Sequence, residues 1–185
     1  MVRRVFALTV LAAAMVAGLG LLARPTSPPA LRFDDTVPND LRALATETWQ
    51  DLLEAHQARH DCIAPVVLSV AWDLDDRAQY RPDLATVVIR VPGTAANLRT
   101  GLIHEFAHHV EFTCPEHEEL RPAFLAAQGL AASTHWFDGD TWETTPSEQY
   151  AEATVEVILG RRAHHGGISI SDEAAAIVRR WGAGS

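Results

Sequence analysis

The chain of 185 residues contains no lysine: all 15 of its basic residues are arginine, set against 24 Asp and Glu. Its net charge of −9 becomes −12 once Arg3, Arg4 and Arg24 of the first segment are set aside. An acidic chain with no basic stripe argues against nucleic acid or an anionic membrane surface as partner, since both need clustered cations. Cysteine is almost as scarce. Cys62 and Cys114 are the only two, and neither has a Cys or His neighbour at finger-like spacing, which speaks against a metal role for them. Internal repeats and long low-complexity tracts are missing after the first segment.

That first segment reads as targeting and not as fold. Arg3 and Arg4 precede an apolar run from Val5 to Ala23, followed by Arg24-Pro25-Thr26-Ser27-Pro28-Pro29-Ala30. A charged start, an apolar middle and a small, Pro-rich exit make a signal peptide over residues 1–30. The run also approaches the roughly 20 residues that span a bilayer, so an uncleaved N-terminal membrane anchor is the alternative. Arg3-Arg4-Val5-Phe6 matches a twin-arginine signal only in part. Either way residues 31–185 are expected as one domain outside the cytoplasm, secreted or in the cell envelope.

Apolar periodicity over Leu41, Leu44, Ala45, Thr48, Trp49, Leu52 and Leu53 predicts a helix from Asn39 to His60, capped by Asn39 or Asp40. Val66 to Trp72 and Ala85 to Val91 are rich in β-branched residues and read as strands, with a turn-rich stretch from Asp73 to Asp83 between them. Thr94 is placed to cap a helix reaching Val110, inside which Gly101 costs roughly 1 kcal/mol against Ala and points to close packing. Pro122 opens a short helix that stops at Gly129. Ala131 to Thr145 shows no periodicity, and its aromatic residues read as packing. Helices from Pro146 to Leu159 and after Ser171 follow, with Arg161, Arg162, His164 and His165 read as compensating a helix dipole and not as ligands.

The chemistry concentrates in His104-Glu105-Phe106-Ala107-His108. Two imidazoles four positions apart stand one helical turn above each other on one face, close enough to share a metal ion. Glu105 is one step along, able to act as a base without being a ligand. This is the H-E-x-x-H signature of zinc peptidases. The residues between, Ile103, Phe106, Ala107 and Val110, are uncharged, and two His and a Glu inside an apolar run need a buried partner, which zinc would be. A catalytic zinc takes a third protein ligand. The metzincin extension is excluded, because Glu111 and Cys114 stand where Gly and His would be required. Glu148 and Glu152, four apart on the Pro146 helix, are the remaining candidates.

His104-Glu105-Phe106-Ala107-His108 with the later Glu148-Gln149-Tyr150-Ala151-Glu152-Ala153 resembles the gluzincin zinc peptidases, most of all their small and lethal-factor-like members, over roughly Thr94 to Gly160. The resemblance implies an α+β, zincin-like fold in which a small sheet packs on the H-E-x-x-H helix. It implies His104, His108 and Glu148 as Zn2+ ligands, Glu105 as the catalytic base and Glu152 as the carboxylate holding a zinc-bound imidazole. It further implies hydrolysis of a peptide or protein substrate. The chain departs from the pattern where those enzymes carry an oxyanion-stabilising Tyr: Thr141-Trp142-Glu143 stands there, Tyr150 faces away from Glu148, and His135 or Tyr80 reaches the site only if the fold brings it in.

Several alternatives stay open. Thr145-Pro146-Ser147-Glu148 also reads as a capping box, which would turn Glu148 back onto the Thr145 amide and leave Glu152 as ligand. The domain can be a zinc-binding pseudoenzyme, or a non-catalytic binding module of the cell envelope with incidental histidines. In an oxidising compartment Cys62 and Cys114 are expected to bridge, tying the end of the His-bearing helix to the start of the first strand and stabilising by about 4 kcal/mol at most.

Overall fold

The computed structural model describes residues 28–160 and 167–185. Most of the targeting segment, and Arg161, Arg162, His164 and His165, lie outside the described residues. The architecture is α+β. Strand β1 (Leu31–Phe33) leads into helix α1 (Asn39–Ala55), then come β2 (Val66–Ala71), β3 (Ala78–Arg81), β4 (Thr86–Arg90), α2 (Ala95–Thr113), α3 (His117–Ala127), α4 (Pro146–Leu159) and α5 (Asp172–Ala183). The sheet order is β1-β2-β4-β3, with β1, β2 and β4 parallel and β3 antiparallel to β4 at the edge.

The sheet's buried residues, Val66 and Leu68 of β2 with Val87 and Ile89 of β4, meet Leu102, Phe106 and Val110 of α2 and Trp49 and Leu52 of α1 in one core. Trp49 sets its ring edge-on to Phe106, 4.9 Å between centroids, and donates its indole N–H to the Pro29 carbonyl. This core holds α2 against the sheet, so the face bearing His104 and His108 is turned towards α4.

Several expectations change. The α1 N-cap is Pro38, with no side-chain capping bond, and the Asp40 carboxylate accepts from the adjacent Leu41 N–H. Strand β1, too short to announce itself, exists through its pairing with β2. The turn expected between Asp73 and Asp83 instead contains β3, which pairs antiparallel with β4 from Ala78 opposite Ile89 to Arg81 opposite Thr86. Pro122 lies inside α3, which begins at His117. Thr94 and Ser171 do cap α2 and α5, accepting from the N–H groups of Asn97 and Ala174. Cys62 and Cys114 form a disulfide joining the loop before β2 to the C-terminal end of α2.

His117 begins α3 where it does by burying its ring among aromatic partners, 4.4 Å from Tyr150 and 5.4 Å from both Trp136 and Trp181, measured between centroids. His56 joins the same cluster beside Trp181 and donates Nδ1–H to the Leu52 carbonyl. Burial drives His56 down to about 4 and His117 to about 3, from the ordinary 6.5. A folded-state pKa below the unfolded one means that, as pH falls from about 6.5, only the unfolded chain takes up these protons. Stability is therefore lost towards acid. We expect a lower melting temperature at about pH 5 than at about pH 7, and a smaller difference in a His56→Gln variant, which stays neutral. An unchanged pH difference in that variant counts against the account.

Candidate metal centre

The capped start of α2 and its apolar packing set the register in which His104 and His108 point the same way, and α4 supplies the facing carboxylates. Pro146 at its first position and Gly160, left-handed at φ 64°, at its end bound α4 where the sequence predicts. The capping box read at Thr145 does not form: the Thr145 hydroxyl donates to the Thr141 carbonyl, and the box is made by Thr141 and Thr144 around the short 3-10 turn Trp142–Thr144. Glu148 is thereby free for the histidines. One of its oxygens lies 2.9 Å from His104 Nε2 and 3.4 Å from His108 Nε2, and the two Nε2 atoms are 3.2 Å apart.

The outer nitrogens explain why this cluster suits a cation. His104 Nδ1–H donates to Glu152 Oε1 at 3.0 Å, and His108 Nδ1–H donates to Glu111 Oε2 at 2.9 Å. An ionised carboxylate only accepts, so each Nδ1 carries its proton and each imidazole, once a cation displaces the Nε2 proton it shares with Glu148, presents an Nε2 lone pair inward. Two lone pairs and a carboxylate oxygen then face one point, with the three ligand atoms within 4.8 Å of one another. Three acceptors so placed repel unless a positive charge sits among them, and two imidazoles with one carboxylate are a donor set that zinc accepts. The residues present fit the ion.

The titration behaviour follows from the same demand for positive charge. Burial alone lowers the His104 pKa, but its hydrogen bonds to Glu148 and Glu152 outweigh that and push it up to about 9. Against burial, hydrogen bonds to Glu111 and Glu148 likewise raise His108 well above its ordinary value. Burial would raise Glu148, yet the hydrogen bonds from His104 and His108 hold it well below the usual carboxylate range. Glu105, one position from His104 and buried, is shifted up, chiefly by burial, with a hydrogen bond from the Tyr80 backbone acting against the shift.

By sequence Glu111 is only the residue standing where a metzincin has Gly; in the structure it holds His108 in place. Its carboxylate is buried and fully engaged: Ser147 Oγ donates to one oxygen at 2.9 Å, and the Trp136 indole N–H donates to the other. Its sequence signal is a carboxylate three residues past the second His, on the same helical face. Trp136 is packing, as expected of that loop, but Phe137 and Trp142 line the cleft, and Trp142 stacks on His104 at 5.9 Å and 24°. Tyr80 also lines the cleft, though its hydroxyl donates to His109 Nδ1 at 3.0 Å because His109 Nε2–H is given to the Ala64 carbonyl. His135 is not among the lining residues.

The cleft over this cluster encloses about 600 Å³ between α2, α4 and the edge strand β3. Its floor is one face of α2: Thr100 and Gly101, then His104, His108 and Phe112. A Cβ on Gly101 would lie 3.7 Å from that of Ala78, an ordinary contact, so this glycine keeps the floor low without being forced by packing. Comparison with known proteins finds no match to a family model, to a curated protein or to a solved structure.

Proposed function

We propose that the protein is a zinc-dependent metallopeptidase of the gluzincin type with a zincin-like fold, acting on a peptide or protein outside the cytoplasm. The observation that carries this reading is the convergence of His104 Nε2, His108 Nε2 and a Glu148 oxygen beneath an open cleft, with a non-ligand carboxylate, Glu105, beside them. The sheet with its antiparallel edge strand packed on α2 is in keeping with the zincin-like arrangement. The disulfide suits an oxidising compartment.

His104, His108 and Glu148 would hold the zinc, while Glu152 and Glu111 keep the two imidazoles in the tautomer that offers Nε2. Zinc, when bound, supplies Lewis-acid polarisation of the scissile carbonyl and makes water acidic enough to ionise near neutrality. Glu105 takes a proton from the attacking water as its oxygen adds to the carbonyl carbon. It returns that proton to the amide nitrogen as the C–N bond breaks, leaving an acid and an amine. Because burial raises its pKa, Glu105 is a stronger base than a surface carboxylate. Strand β3 pairs with β4 on one side only, which leaves main-chain groups on its other edge, apart from the Tyr80 group bonded to Glu105, for an extended peptide.

One observation favours a second reading, a zinc-binding module that does not hydrolyse: the hydroxyls of Tyr80 and Ser147, both in the cleft wall, are already donated to His109 and Glu111. A single experiment tests both. Protein purified without a His-tag should carry about one equivalent of zinc, lose it with its peptide-hydrolysing activity to a chelator, and recover both when zinc is returned. Zinc without hydrolysis of any peptide in a mixed pool would favour the module, and less than about half an equivalent after refilling would make the histidines incidental.

A further inference from the structure

Among the described residues five large apolar side chains are conspicuously exposed, and three of them, Phe112, Phe137 and Trp142, line the metal cleft. Two form a unit. Phe112 and Phe137 are each 48 % exposed, yet their rings stack at 5.1 Å and 27°. The pair is braced from both sides: Tyr80 lies 5.8 Å from Phe112, and the Arg121 guanidinium sits 5.3 Å from the centroid of Phe137 and equally far from that of Trp136. Apolar surface left in water is costly, and here the rings are already packed on one another and on Tyr80 and Arg121, so a ligand covering them has little order to impose.

Position says what covers it. Phe112 is four residues past His108, one turn along the same face of α2, which puts its Cβ about 5–6 Å from that of the second histidine. Successive Cα atoms of a peptide are about 3.8 Å apart, so the residue reaching this surface is one flanking the bond held over the metal centre. Towards the opposite end the floor is Thr100 and Gly101, and the aromatic on that side, Trp142, stacks on His104 and not in an exposed aromatic pair. The cleft is thus asymmetric about the metal.

We infer that Phe112 and Phe137 form a subsite for an aromatic or large aliphatic side chain of the substrate residue flanking the scissile bond on the His108 side. This rests on the peptidase reading, but binding tests it apart from catalysis. The probe is a fluorescein-labelled peptide of Gly and Ala with one central Phe, compared with the same peptide carrying Ala there, each titrated by anisotropy into zinc-loaded Glu105→Gln protein. The Phe peptide should bind at least about tenfold more tightly. Phe112→Ala and Phe137→Ala, each made in the same background on a separate segment, should each collapse that ratio. Equal binding of the two peptides, or a ratio unchanged in both variants, overturns the subsite. Hydrolysis of the same pair by the parent protein reports on the other level. A binding preference without cleavage upholds the subsite and sinks the peptidase, whereas cleavage with no binding preference does the reverse.

Discussion

Glu148→Ala protein should come off purification without zinc and fail to retain it against a chromophoric chelator that the parent outcompetes. Glu148 supplies the oxygen that faces both inner nitrogens, so its removal takes away one of the three proposed zinc ligands. Glu152 and Glu111 stand on the outer side of the imidazoles, where each accepts an Nδ1 proton. Their replacement by Ala leaves all three ligands but loosens a ring, and losses of that kind weaken metal affinity only about 10- to 100-fold. Three affinities measured by competition therefore rank the carboxylates. If Glu148→Ala holds zinc like the parent while Glu152→Ala loses it, the ligand assignment is wrong by one helical turn.

The second large effect is expected at Glu105. Glu105→Gln keeps the shape and hydrogen-bonding reach of the side chain but cannot take a proton. Peptide hydrolysis should fall by about 10²- to 10⁴-fold, the usual worth of a positioned general base. Zinc content should stay at the parent level, because Glu105 is not among the three converging ligand atoms. Loss of metal together with rate would assign Glu105 to the wrong role.

The parts of this centre differ in how far they could be read from residues alone. His104, Glu105 and His108 were legible because the helical period converts a four-residue spacing into a shared face. The length of α4 was legible because Pro146 and Gly160 punctuate it. Glu111 was not, since no local rule says which buried carboxylate receives an imidazole N–H; its partners Ser147 and Trp136 come from far along the chain. Strand β3 was hidden for a similar reason. Ala78-Gln79-Tyr80-Arg81 has little strand propensity, and its conformation comes from the ladder offered by β4. Pro122 misled because proline favours the first helical turn, whereas the burial of His117 starts α3 earlier. The division of the loop aromatics into a buried Trp136 and the cleft-lining Phe137 and Trp142 depends on where the 131–145 segment crosses α2 and α4, which composition does not encode.

The disulfide can be considered as wiring. It closes a circuit between Cys62 and Cys114, 52 positions apart, and that circuit contains β2, β3, β4 and all of α2, including both imidazoles. Glu148 lies outside it, on α4. With zinc bound, the molecule has two ties in series: sulfur to sulfur fastens α2 to the sheet, and the metal fastens α2 to the later helices. The ties are expected to fail independently under a chelator and under a reductant that does not bind zinc. A chelator should slacken the side from α3 onward while the sheet stays clamped to α2, and a phosphine reductant should slacken the sheet side while α2 and α4 stay joined through the ion. Limited proteolysis of the two treated forms would then start in different halves of the chain.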